Sequence, residues 1–177
     1  MVVCLFSLLA GVVQETPRIV HRPPTPYIAI KSTESMATIG GAFPKLMPKL
    51  HKWAAEHHAI EAGPPLMRFR YIDMEKRLDI EVGFPVAKPV KGDAEVYAGT
   101  IPAGEYVSLT HFGNYSGLVA PNAALQRWAS EKHLKFKMTK NKMGDEFASR
   151  VEIYKTDPDK QPDPAKWETE ILYLIER

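Results

Sequence analysis

Near the C-terminus the sequence reads Glu168-Thr-Glu170-Ile-Leu172-Tyr-Leu174. Side chains alternate across a strand, so Glu170 shares a face with Leu172 and Leu174. A carboxylate desolvated in that way either pairs with a cation or takes up a proton, and each state is chemically useful. An earlier stretch, Leu78 to Val86, follows the same pattern at an offset of 89 positions. Asp79, Glu81, Gly83 and Pro85 then correspond to Glu168, Glu170, Leu172 and Leu174. The alternate residues, Val82, Phe84 and Val86 against Ile171, Tyr173 and Ile175, belong to a helix-covered face. In the strands before these, alternation directs Phe69 and Val151 to the helices and leaves Arg68, Arg70, Arg150, Glu152 and Tyr154 with the glutamates. Apolar walls with a few convergent polar groups are what a small-molecule site requires. The candidate ligand-binding residues are Glu170, Glu81, Tyr115, Arg150, Tyr154, Arg68 and Leu172, with Glu170 the candidate catalytic group.

Each of these residues also has a plainer role. A glutamate alternating with apolar residues on a strand is more often on a solvated face, and arginines beside it are more often surface partners of small energetic weight. Trp53 and Trp128 fall on apolar helical stripes and read as core. His111 alternates with Val107 and Leu109 and reads as a satisfied histidine. Tyr115 sits in His-Phe-Gly-Asn-Tyr, which suits either a loop-borne site or a turn.

The elements that position these groups are legible from periodicity. Tyr27–Thr33, Leu66–Asp73, Leu78–Val86, Glu105–Phe112, Phe147–Thr156 and Trp167–Glu176 read as strands. Phe43, Leu46, Met47, Leu50, Trp53 and Ala54 form one helical stripe, with Pro44 and Pro48 restricted to its first turn or a kink. A second helix covers Gly117 to His133. The two helices contain nearly the same nine residues, LHKWAAEHH from Leu50 and LQRWASEKH from Leu125, at an offset of 75 positions. The chain therefore reads as an α+β fold made by internal duplication of a βαββ unit. An antiparallel sheet carries the helices on one face and a ligand cleft lies between the repeats, which run from about 27 to 86 and from about 106 to 175.

Lysine and arginine number 23 against 21 aspartates and glutamates, a formal charge of +2, which does not suit a dedicated nucleic-acid binder. The single cysteine, Cys4, forms no internal disulfide, and no Cys/His cluster has zinc spacing. These features point to a cytoplasmic protein without metal or cofactor. Residues 1–16 read as an extension outside a domain that spans 17–177. Their apolar start is shorter than the roughly 20 residues of a membrane span and lacks the basic residues of a signal peptide; export is the alternative if residues 1–14 act as one. Oligomeric state is open.

The stretches PRIVHRPPTPYIAIK, GPPLMRFRYIDME, IPAGEY, THFGNYSGL, YKTDP and DPAKWETEI, in this order, resemble the GyrI-like small-molecule-binding domain, which also serves as the effector domain of multidrug-responsive transcription activators. The resemblance runs from Pro17 to Arg177. It implies a pocket between two repeats, with the glutamate of the Thr-Glu-Ile segment, Glu170, meeting aromatic and preferentially cationic ligands. It also implies an alternative, since some stand-alone members are hydrolases that open the strained ring of cyclopropanoid genotoxins. The family's terminal strand often ends in Pro-Ile, where this chain has Leu174-Ile175. Met1 to Pro26 contains no helix-turn-helix pattern, so direct DNA binding is not expected. A binder needs an aromatic surround and one ionised carboxylate. A hydrolase needs a further group on water, for which Glu81, Tyr115 and Arg150 are candidates. A protein-interaction module is a third possibility.

Overall fold

A computed structural model describes residues 15–176; the expectations for residues 1–14 lie outside it. The elements in chain order are β1 (Arg18–Arg22), β2 (Thr25–Glu34), α1 (Ala42–Glu56), β3 (Leu66–Asp73), β4 (Arg77–Pro85), β5 (Tyr97–Ile101), β6 (Gly104–Phe112), α2 (Val119–Glu131), β7 (Met138–Asn141), β8 (Gly144–Tyr154) and β9 (Glu168–Leu174). The architecture is α+β, with both helices packed on one face of a single antiparallel sheet. Pro48 lies inside α1.

The strand order is β1-β6-β9-β8-β3-β4-β2-β5, with β7 pairing β8. It reads as the same pattern from either end: β1 corresponds to β5, β6 to β2, β9 to β4 and β8 to β3, about an axis between β8 and β3. The register agrees with this correspondence. Lys31 faces Glu81 and Tyr27 faces Pro85 in one half; Thr110 faces Glu170 and Tyr106 faces Leu174 in the other. Strand β1 runs into β2 but pairs with β6, and β5 runs into β6 but pairs with β2. Each half therefore lends its first strand to the other.

The repeated nonapeptide ends both helices by the same device. His58 and His133 have φ of 53° and 57° and are the positive-φ residues other than glycine among those described. The amides that follow them, Ala59 and Leu134, return to the carbonyls of Ala54 and Ala129, each at 2.9 Å. This left-handed close satisfies helix-end carbonyls that would otherwise lack a donor. The duplicated residues thus specify a stop signal as well as an apolar stripe.

Between helices and sheet, Leu46, Phe69, Ile80, Val82, Leu109, Leu125, Ile171 and Tyr173 form the main core. Beneath the end of α1, Ile28, Leu50, Trp53 and Phe84 form a second. Burying side chains of this size removes apolar area from water at about 1.5–3 kcal/mol each. The other sheet face has no helix, yet Tyr27, Leu66, Tyr106, Val151, Leu172 and Leu174 are buried there as one cluster, with Ile101 of β5 and Val20 of β1. Those two strands sit at opposite ends of the sheet, so the sheet shelters this face by curling. Gly83 permits the close strand approach, because a Cβ there would lie 1.9 Å from the Ile28 carbonyl oxygen.

Candidate functional site

The curled, helix-free face contains both glutamates. Glu81 and Glu170 are 2% and 4% exposed, and each is enclosed by a different set of partners. Around Glu81 the partners come from its own half: the Tyr27 hydroxyl donates to Oε2 at 2.5 Å, and the Arg68 guanidinium lies 3.9 Å from the same oxygen. Arg68 donates to the Tyr27 hydroxyl at 2.7 Å and to the Ala148 carbonyl at 2.7 Å. Burial, reinforced by the negative Glu81 beside it, holds the Tyr27 phenol far above its ordinary value. It remains a donor.

Around Glu170 the partners are drawn from both halves. Ser108 on β6 donates to Oε1 at 2.9 Å, and Arg22 of the exchanged strand β1 donates to that same oxygen through Nη2. Lys155 lies 3.8 Å from Oε2 and 2.7 Å from Glu168. Leu172 and Leu174 continue along β9, and Tyr106, whose hydroxyl donates to the Pro102 carbonyl at 2.7 Å, stands across from Leu174. A charged, directional end is thus joined to an apolar wall. On the first half of the same face, Lys31, Arg70, Asp79, Glu81 and Tyr97 line a hollow of about 380 Å³. Lys31 Nζ rests 4.1 Å from the centre of the Tyr97 ring. Another hollow, of about 290 Å³, lies by Leu109 and Trp128 and contains none of these groups.

Four of the residues singled out from sequence, Glu81, Glu170, Arg68 and Leu172, lie on this face. Arg150, Tyr154 and Tyr115 do not join them. The expectation that Phe69 and Val151 point the same way is corrected by the register, in which Phe69 faces Arg150 while Arg68 faces Val151. Val151 therefore belongs to the open-face cluster, and Arg150, Glu152 and Tyr154 point under the helices. There Asn122 of α2 joins the charges: its amide donates to Glu152 at 2.8 Å, and its carbonyl accepts from Arg150 at 3.0 Å. Tyr154 donates to the other Glu152 oxygen at 2.9 Å. Burial, with Glu152 beside it, raises the Tyr154 phenol well above its ordinary value. The Arg150 guanidinium is also surrounded by Phe69, Tyr173 and Phe147. Tyr115 packs on Tyr154 and Trp167 and donates to the Thr156 carbonyl at 2.9 Å, so it anchors the loop before β9.

Sequence reasoning missed Tyr27, Arg22, Ser108 and Lys155. For Tyr27 a signal existed: Tyr27 and Tyr106 sit at the same register place relative to the glutamates. Arg22 had none, because its contact depends on strand exchange. Among the described residues, no group of three or more His, Cys, Asp or Glu side chains is placed to hold a metal ion, and no helix is long and apolar enough to cross a membrane.

The profile of the GyrI-like small molecule binding domain matches residues 15–175. The chain belongs to that family, and the family's defining property is the binding of small molecules. Its fold is similar to the EcmrR C-terminal domain, with a TM-score of 0.76 and 18% identity over 93% of this chain and 99% of that one. It is also similar to SAV2435 bound to tetraphenylphosphonium, with a TM-score of 0.61 and 12% identity over 92% and 94% of the two chains. A hydrolase from Listeria innocua has a TM-score of 0.58 and 16% identity over 90% and 91%. No curated protein matches the sequence.

Proposed function

We propose that this chain binds a cationic aromatic small molecule on its open sheet face, in the cleft between the two halves, with Glu170 as the charge partner. The observation that carries this reading is the Glu170 carboxylate, buried beside Leu172 and Leu174 and already engaged by a cation from another strand. A buried carboxylate attracts a cation more strongly than an exposed one because water screens it less. The apolar wall adds affinity for the ligand's rings. A neighbour in fold, SAV2435, carries tetraphenylphosphonium, an ion of this chemistry.

The hydrolytic alternative is less well supported. Water attack on a strained ring needs a second polar group near Glu170 to orient the water, and two of its candidates, Tyr115 and Arg150, lie across the sheet. The third, Glu81, is enclosed by Tyr27 and Arg68. Binding of tetraphenylphosphonium to the parent and to Glu170→Gln, measured by calorimetry, tests the proposal. The substitution keeps shape and removes charge, so affinity should fall by about 2–5 kcal/mol. Equal affinity in the two proteins would reject Glu170 as the charge partner.

A further inference from the structure

The cation closest to Glu170 is part of the protein, and it is placed differently from the cation on Glu81: Arg68 there is buried. Arg22 ends an edge strand, and its side chain is 39% exposed while that of Glu170 is 5% exposed. The arginine can therefore swing into water, but the carboxylate cannot. The counterpart of Arg22 in the other half is an apolar residue. Arg22 faces Gly104 across β1 and β6, and the equivalent pair of β5 and β2 is Ile101 with Thr25. Glu81 accordingly receives its cation from Arg68, a buried neighbour two strands from β2 that also holds Tyr27 and the Ala148 carbonyl. Arg68 is fixed on three sides, whereas among the described residues the Arg22 side chain hydrogen-bonds to Glu170 alone.

From this asymmetry, and resting on the reading of Glu170 given above, we infer that Arg22 is a displaceable internal counter-cation that sets which ligands the site accepts. An incoming cation must exchange with Arg22. The apparent dissociation constant is then the intrinsic one divided by the fraction of molecules in which Arg22 has left Glu170. A small, strongly hydrated cation gains no more from Glu170 than the guanidinium does, and it loses the exchange. A large, weakly hydrated cation loses little hydration on entry and takes its own aromatic groups out of water beside Leu172 and Leu174, which favours it over the arginine. The ligand class is thus narrowed to bulky phosphonium or quaternary ammonium ions attached to rings. Lys155, held chiefly by Glu168, keeps Glu170 partly compensated during the exchange.

Calorimetric titration of the full chain with tetraphenylphosphonium tests this, using the parent, Arg22→Ala, Glu170→Gln and the double variant. Arg22→Ala should tighten binding about tenfold. Glu170→Gln should weaken it, and adding Arg22→Ala to Glu170→Gln should produce no further change. Binding by Arg22→Ala where the parent shows none would support the inference most strongly. If Glu170→Gln weakens binding but Arg22→Ala leaves it equal or weaker, Arg22 is no competitor, and the assignment of Glu170 stands alone. Binding by none of the four proteins would overturn both. Should Arg22→Ala fold poorly, Arg22→Gln preserves length without charge and carries the same expectations. Tetramethylammonium, a cation without rings, should bind Arg22→Ala more tightly than the parent, and an equal response to it in both proteins would count against the exchange.

Discussion

Tyr27 and Tyr106 occupy equivalent places in β2 and β6, yet only Tyr27 donates to the glutamate of its half. Its hydroxyl meets Glu81 at 2.5 Å, whereas that of Tyr106 turns to the Pro102 carbonyl. The two halves share a backbone plan and use it to opposite ends. One glutamate is enclosed within its own half, and the other is capped by a cation that can withdraw.

Tyr27→Phe should accordingly destabilise the protein more than Tyr106→Phe. The first removes a donor from a buried carboxylate and an acceptor from a buried arginine, a loss of about 1–3 kcal/mol. The second removes a single hydrogen bond between neutral groups, at half-buried Pro102, a loss of about 0.5–1.5 kcal/mol. Denaturant unfolding of the two variants ranks them, and the reverse order would argue that the Glu81 network is not a structural support.

Asn122→Ala separates structure from binding. It leaves Arg150 and Glu152 buried without their shared partner, and breaking such a set costs about 3–5 kcal/mol. Affinity for tetraphenylphosphonium should stay within about twofold, since α2 lies across the sheet from Glu170. Tyr115→Phe, a milder change on the same side, should also leave affinity unaltered. A large loss of affinity in both would move the site beneath the helices.

A pH dependence follows from Asp93. Its carboxyl is held below the ordinary aspartate range, chiefly by the Trp53 indole donating at 2.6 Å and then by the Val96 and Glu95 amides. A group whose folded-state value is depressed stabilises the fold above its unfolded value and loses that contribution as pH falls through the folded one. The parent should be more stable than Asp93→Asn at neutral pH, and the two should converge once the medium is well below about pH 4. Melting curves collected across that range measure the difference; a constant gap would exclude the mechanism.

Much of the fold was legible where a segment carries its own signal. Leu66–Asp73 has the same limits in sequence and structure because an alternating apolar run is bounded by Pro65 and a turn. Strands β1, β5 and β7 were not recognised. Arg18–Arg22 is five residues long beside a proline cluster, Tyr97–Ile101 contains Gly99, and Met138–Asn141 is largely polar. Their pairing is decided by partners far along the chain. Three of the seven candidate site residues were misplaced, and two of them, Arg150 and Tyr154, for a related reason. In β8 the apolar residues Val151 and Ile153 face away from the helices, while Arg150 and Glu152 face them. Alternation tells which residues share a face but not which face is covered when curvature buries both. Asn122, lying unremarked on α2, is what makes the polar choice tolerable.

The strand exchange also fixes the order in which the site can be completed. Arg22 and Glu170 are 148 positions apart, so the first member of the pair emerges from the ribosome long before the second is made. For the first part of that interval β1 has no β6 to bind, and β9, which carries Glu170, follows later still. Closing contacts of such long sequence separation is slow and leaves strand edges open meanwhile. The Arg22–Glu170 pair is therefore among the last contacts to form, and a nascent or C-terminally truncated chain that ends before β9 lacks the carboxylate that Arg22 meets.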